Sequence, residues 1–164
     1  MKKLLLCAVL LSAVLKTFGQ TPLNLLNKSE EEVKFRASLL KALLTVHDTT
    51  LKGKLMLHYE LYPDRFTHEN NLGNTLYYIL YRFDLPDLCT MCDYGYSGRK
   101  DLDRIVAAFD KSKKLKRKEN TLGWHSVNDK FDVDIRQFST NGGFSVTYTW
   151  LGGVKASEAS AQSQ

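Results

Sequence analysis

The stretch "FDVDIRQFSTNGGFSVTYTW", residues 131–150, predicts an antiparallel β-hairpin. Apolar and polar side chains alternate on both sides of a central turn, as in strands with one buried and one exposed face. Asn141 and Gly142 lie in that turn, and both residue types tolerate the positive φ angles that tight hairpin turns require. The predicted inner face carries Phe131, Val133, Ile135, Phe144, Val146, Tyr148 and Trp150.

Four segments outside this hairpin also have the character of strands. Residues 54–62 alternate apolar and polar side chains, residues 75–83 are apolar or aromatic on both faces, and residues 88–96 follow a turn. The fourth segment, "TLGWHSV", residues 121–127, directly precedes the hairpin. The sequence therefore predicts six strands in total.

Two helices are predicted, one before each group of three strands. Ser29 and Glu32 form a capping box, and the apolar residues after them recur at helical spacing as far as Leu44. The second helix is predicted within residues 99–114, where its apolar positions are Leu102, Ile105, Val106 and Phe109. This order predicts an α+β fold of two helices packed on an antiparallel sheet, αβββ-αβββ, with a weak duplication as one interpretation.

The N-terminus has the layout of a bacterial signal peptide. Two lysines precede an apolar run of about a dozen residues, whereas a membrane span needs about twenty. We expect residues 1–19 to be removed by cleavage between Gly19 and Gln20, which would leave a periplasmic or secreted protein with no transmembrane span. Residues 20–151 are predicted to form a single domain, and the small polar residues of 152–164 predict a disordered tail.

Cys89 and Cys92 form a C-x-x-C pair in a chain that is predicted to be exported. A redox centre places the first cysteine of such a pair at a helix N-terminus, but "DYGYSG", residues 93–98, favours extended or turn structure. A disulfide requires Cα atoms within about 7 Å, whereas a regular strand separates positions i and i+3 by about 10 Å. The pair is therefore a local disulfide if the backbone bends between the cysteines, and two buried thiols if it does not.

No catalytic or metal-binding motif accompanies this pair. A closed zinc site usually takes two close pairs of ligands, and the histidines are dispersed along the chain at His47, His58, His68 and His125. Hydrolase and dinucleotide-binding motifs are absent from the sequence. We expect a non-enzymatic protein with no metal and no cofactor.

The basic segment "KSKKLKRK", residues 111–118, carries much of the positive charge. Removal of residues 1–19 would take away three of the 23 basic residues and no acidic residue, which lowers the net charge from +5 to +2. Because the rest of the domain is mildly acidic, no nucleic-acid partner is expected. The segment is a candidate anion-binding patch of Lys111, Lys113, Lys114, Lys116, Arg117 and Lys118.

Tyrosines are concentrated in the two middle predicted strands. Aromatic residues are frequent at recognition surfaces, so this group is a candidate recognition surface, although packing in the core explains most of the pattern. Its members are Tyr77, Tyr81, Tyr94 and Tyr96.

Taken together, these features favour a small exported bacterial protein that binds a protein or another component of the cell envelope through one face of its sheet. The sequence leaves two alternatives open. One is an envelope thiol protein that uses Cys89 and Cys92 for redox chemistry or metal binding. The other is an electrostatic binder of anionic surfaces through residues 111–118.

Overall fold

The computed structural model describes residues 22–51, 54–84, 88–138 and 142–152. The predicted signal peptide, residues 1–19, lies outside these residues, as does all of the predicted disordered tail except Gly152. The described helices are α1 (Glu30–Leu39) and α2 (Leu102–Asp110), and a 3-10 turn (Arg99–Asp101) leads into α2. The strands are β1 (Leu43–Leu51), β2 (Lys54–Glu60), β3 (Leu76–Phe83), β4 (Met91–Tyr96), β5 (Leu115–Arg117), β6 (Gly123–Ser126), β7 (Phe131–Gln137) and β8 (Phe144–Trp150).

These eight strands form a single antiparallel sheet in the order β1-β2-β3-β4-β8-β7-β6-β5. Each half of the chain contributes a helix followed by a meander of four strands, and the two meanders meet where β4 pairs with β8. The predicted hairpin is confirmed, because β7 pairs with β8 from Phe131↔Trp150 to Gln137↔Phe144. Gly142 has a φ of 70° beside the turn, while Asn141 lies outside the described residues.

The predicted α+β fold class, with the element order αβββ-αβββ, is wrong. Within the described residues the protein is mostly one eight-stranded sheet with two short helices, and each half has four strands instead of three. The two strands that the sequence pattern did not predict, β1 and β5, are the outer strands of the sheet. An outer strand has one neighbour, so burial imposes a weaker period on its side chains.

The first helix ends earlier than its apolar spacing predicts. Helix α1 stops at Leu39, and Lys41 has a φ of 54°, a left-handed conformation that turns the chain into β1. The predicted cap is partly confirmed, since the Ser29 hydroxyl accepts a hydrogen bond from the Glu32 N–H at 3.3 Å. Similarly, α2 ends at Asp110, before the basic segment, and β5 lies inside that segment.

One face of the sheet forms the core. The inward positions predicted for residues 54–62 and for the hairpin are buried there, including Leu57, Tyr59, Val133 and Val146. Both helices lie on this face: Val33 and Ala37 of α1 are buried in the core cluster, and Phe109 of α2 contacts the rings of Trp124 and Tyr148.

A segment before α1, residues 22–28, also packs on this face, and we call it the leader segment. Leu25 and Leu26 are buried in the core cluster. The Tyr94 hydroxyl of β4 donates to the Leu23 carbonyl at 2.5 Å, and the Tyr148 hydroxyl of β8 donates to the Pro22 carbonyl at 2.9 Å. The leader segment is therefore held by the two central strands.

We expect Tyr148→Phe to lower the free energy of unfolding by about 1 kcal/mol, because the Pro22 carbonyl would lose its buried donor. Tyr59→Phe is the matched control. The Tyr59 hydroxyl is buried and has no hydrogen-bond partner among the described residues, so its removal should leave stability unchanged or slightly raised. Urea unfolding of both variants checks this, and equal losses would contradict the bond to the leader segment.

Asp101 joins the start of β3 to the start of α2. Its carboxylate accepts hydrogen bonds from the backbone N–H and the hydroxyl of Thr75, both at 3.0 Å, and it pairs with Arg104. Burial alone would raise the pKa of Asp101, but the bonds from Thr75 and Arg104 outweigh it and hold this pKa below its ordinary value. Since a depressed carboxyl pKa stabilises the folded state above the ordinary pKa, this contribution is lost as the pH falls below about 4.

Asp101→Asn should therefore cost about 1–3 kcal/mol of stability at pH 7. The difference from the wild type should shrink as the pH is lowered from 5 to about 2, because the wild-type carboxylate becomes protonated there. Asp103→Asn, an exposed change on the same helix, provides the control. Denaturant midpoints measured across this range test the effect, and a pH-independent difference would argue against it.

Candidate functional site

The face of the sheet opposite the helices and the leader segment, which we call the open face, has no described helix over it. Most of its side chains keep partial exposure. Five side chains, one from each of five neighbouring strands, form a row across the centre of the open face. The antiparallel pairing places them in the order His58, Leu80, Asp93, Thr147 and Asp134. The open face therefore presents a continuous row of side chains from the five neighbouring strands β2, β3, β4, β8 and β7.

Asp93 lies at the centre of this row and is held by two neutral hydroxyl groups. Tyr78 donates to one carboxylate oxygen, Oδ2, at 2.7 Å, and Thr147 donates to the other, Oδ1, at 2.6 Å. Among the described residues, no lysine, arginine or histidine forms an ion pair with Asp93 (compare the pairs at Asp84, Asp101 and Asp132). A half-buried carboxylate is thus fixed in place by hydroxyl groups and not by an ion pair.

Tyr78 is positioned by a glycine on the neighbouring strand. Gly95 lies opposite Tyr78 in the β3–β4 register, and a Cβ atom at Gly95 would overlap the Tyr78 ring. The ring therefore lies across the strand next to Asp93. Burial is the largest of the effects that raise the pKa of Tyr78 above its ordinary value. The hydrogen bond to Asp93 and the negative charge of Asp93 raise this pKa further. The hydroxyl stays protonated and keeps donating to the carboxylate throughout the physiological range.

Two cavities adjoin at Tyr78 on the open face. The first, about 510 Å³, contains Asp93 on its floor and is lined also by Met91, Asp134, Arg136 and Thr147; we call it the Asp93 cavity. The second, about 370 Å³, is lined by His58, Tyr62, Pro63, Tyr77 and Tyr78, among others; we call it the Tyr62 cavity. Ring contacts of Tyr78 with Tyr77 (4.9 Å) and His58 (5.7 Å) form the aromatic wall between them.

The two acids that β7 contributes to this face, Asp132 and Asp134, already have a cation. Lys118 donates to Asp132 and Asp134, each at 2.9 Å, and His125 contacts Asp132 at 2.6 Å. Burial would raise the pKa of Asp132, but the bonds from Lys118 and His125 lower it below its ordinary value. These carboxylates are part of a surface network within the chain, in contrast to Asp93.

The candidate anion-binding patch divides into two groups in the structure. Lys118 is bound to the two aspartates, while Arg117 pairs with Asp110 at 2.8 Å and lies over the Trp124 ring at 5.4 Å. The remaining four side chains are exposed on the turn after α2 and on the outer strand β5. They are Lys111, Lys113, Lys114 and Lys116.

The candidate recognition tyrosines also divide. Tyr81, Tyr94 and Tyr96 are buried on the core face. Tyr77 is half-buried and lines the Tyr62 cavity. Of this group, only Tyr77 is placed beside a cavity of the open face.

Cys89 and Cys92 are both fully buried, at 0% exposure. Their sulfur atoms lie 3.6 Å apart as free thiols. The backbone bends here, because Cys89 precedes β4 and pairs with the leader segment through Asn27 and Lys28. The helix that follows the pair in sequence begins only after Tyr96, so neither cysteine lies at the N-terminus of that helix. Burial and the neighbouring Cys89 raise the pKa of the Cys92 thiol well above its ordinary value.

In the described part of the chain, no three His, Cys, Asp or Glu side chains cluster as a metal site would require. The described helices are too short to cross a membrane.

The fold and the site together define a single antiparallel sheet with one covered face and one open face. No protein-family model, no curated protein and no solved structure matches this chain.

The sequence pattern did not single out Asp93, Tyr78 or Thr147 as a group. The signal that could have found them is the acid in "CDYGY", residues 92–96, since an acid inside a central strand requires bonding partners. Its partners come from strands distant in sequence, so only the register of the sheet identifies them.

A double-mutant cycle measures whether Gly95 positions Tyr78. In the wild type, Tyr78→Phe should cost about 1 kcal/mol, because Asp93 loses a hydroxyl donor. In the Gly95→Ala background the ring is already displaced, so the same change should cost close to nothing. Chemical unfolding of the four proteins gives the coupling energy, and additive costs would show that Gly95 does not hold the ring in place.

Proposed function

We propose that this chain is a small, non-enzymatic bacterial protein, exported to the periplasm or beyond, that binds a partner protein through the open face of its sheet. The observation that carries the proposal is the pair of adjoining cavities around Tyr78 on a face without a described cover. Concave sites with an aromatic wall and a few fixed polar groups are typical of binding sites. The N-terminal sequence pattern supports the export part of the proposal.

The charge in the Asp93 cavity indicates the chemistry of the partner. Asp93 has no ion pair among the described residues, yet two hydroxyls hold its carboxylate in one orientation. Leaving a carboxylate partly desolvated without a counter-charge is costly. A lysine or arginine side chain of the partner, inserted into the Asp93 cavity, would supply that charge through a strong hydrogen bond.

The Tyr62 cavity would supply apolar contact beside this charge. Tyr62 is 65% exposed, and with Tyr77 and Tyr78 it offers three aromatic rings around one depression. Tyrosines contribute much of the binding energy at protein interfaces, because their rings bury large areas and their hydroxyls still form hydrogen bonds. We therefore expect the partner to contact both cavities, with its basic side chain next to an apolar one.

A second candidate, electrostatic binding of anionic surfaces, is supported by the four exposed lysines on the turn after α2 and on β5. None of them has an ion pair among the described residues, so their charges are free to act together. These four lysines line neither the Asp93 cavity nor the Tyr62 cavity, and they lie apart from the aromatic wall between the two. The Asp93 cavity therefore remains the stronger site for a specific partner.

Asp93→Asn should reduce capture of the partner about tenfold or more, because the new amide keeps the shape of the side chain but removes its charge. The measurement uses immobilised protein, an envelope extract of the source bacterium, and quantitative mass spectrometry of what is retained. The matched control replaces Lys111, Lys113, Lys114 and Lys116 by glutamine.

The two variants separate the candidate functions. Loss of capture with Asp93→Asn and retention with the four-lysine variant supports the open face. The opposite result supports the anionic-surface candidate, and capture that both variants leave intact would refute the proposed site. Thermal unfolding of each variant confirms that it is folded before the comparison is made.

A further inference from the structure

The cysteine pair and the leader segment form one unit on the core face. Cys89 exchanges two backbone hydrogen bonds with the leader segment, from the Asn27 N–H to the Cys89 carbonyl (2.8 Å) and from the Cys89 N–H to the Lys28 carbonyl (2.9 Å). The backbone N–H of Leu25 contacts the sulfur of Cys92. The leader segment thus passes directly over both cysteines.

The two sulfurs meet at 3.6 Å although the cysteines are three positions apart, so the chain from Cys89 to Cys92 is not a straight strand. The Thr90 N–H bonds to Arg82 of β3, and the Thr90 carbonyl accepts the Trp150 N–H of β8, so both neighbouring strands fix this residue. The Cα separation of a straight strand, which would prevent a disulfide, therefore does not apply. The sulfurs, at 3.6 Å, need to approach by only about 1.6 Å to reach the bond length of about 2.0 Å.

The surroundings do not suit a reactive thiol in the folded protein. Both cysteines are fully buried, and their sulfurs contact each other, the Met91 carbonyl and the Leu25 N–H. Thiol exchange requires access and a thiolate. A bond between these cysteines therefore has to form before the leader segment closes over them, and it is protected afterwards.

We propose that Cys89 and Cys92 form a structural disulfide before the leader segment docks, and that the docked leader segment then seals the bond from solvent. The two thiols lose two protons and two electrons as the S–S bond forms. The acceptor is a disulfide-bonded protein oxidant, whose own S–S bond breaks and takes up these protons and electrons as two thiols. An exported protein meets oxidants of this class.

Alkylation by N-ethylmaleimide, read by mass spectrometry on the full chain purified after export, tests the bond. Without reductant we expect no labelling of Cys89 or Cys92, even in denaturant, whereas reductant and denaturant together should allow both to be labelled. With reductant alone, the folded protein should remain unlabelled, because the leader segment excludes the reductant. Labelling of both cysteines in denaturant without reductant would overturn the proposal.

To test whether the leader segment seals the disulfide, a variant is needed that loosens only this segment. Leu25→Ala creates a cavity under that segment, and it should speed reduction of the folded protein about tenfold or more by favouring local opening. Ile135→Ala, a buried change on β7, is the control for a general loss of stability. If both variants speed reduction equally at matched stability, exposure occurs by global unfolding and the leader segment is not the seal.

Discussion

The pairing of β4 with β8 is the constraint on which the rest of the molecule depends. It joins two four-stranded meanders into one sheet through six residue pairs, from Met91↔Thr149 to Tyr96↔Phe144. Because side chains alternate between faces, this register fixes both surfaces at once. It places Tyr94 and Tyr148 on the core face and Asp93 beside Thr147 on the open face. A slip by one residue would exchange the two sets.

The same pairing gives the two halves an approximate two-fold relationship. The central strands "CDYGY", residues 92–96, and "VTYTW", residues 146–150, occupy equivalent positions, with Tyr94 matching Tyr148. Both tyrosines donate to the leader segment, so the equivalence has a physical consequence. Asp93 and Thr147 occupy equivalent positions in the same way, and they also lie opposite each other in the β4–β8 register. The two-fold axis that relates the two strands therefore passes between Asp93 and Thr147. The two central strands of the open face are therefore equivalent in backbone but not in charge.

Sequence pattern predicted the parts of the fold that burial controls directly. The hairpin of β7 and β8 and the inward faces of β2 and β8 follow from alternation, since the inward side chains lie in the core or pack against it. The outer strands were not predicted because burial imposes no clear alternation on them. Strand β1 continues an apolar run that also suits a helix, and β5 is short and basic. The site was not predictable from local pattern, because Tyr78, Asp93 and Thr147 meet only through the sheet register.

The distribution of polarity on the open face favours a partner that spans its centre and one edge. Leu43 and Val46 of β1 lie opposite Glu60 and His58 in the register, which places them on the open face beside the Tyr62 cavity. They are 53% and 46% exposed, so a partner over that cavity would cover them too. Apolar burial at this edge would supply affinity, whereas the Asp93 carboxylate, which has no ion pair among the described residues, would select for partners with a basic group at the centre. Affinity and selectivity would then come from different strands of the same sheet.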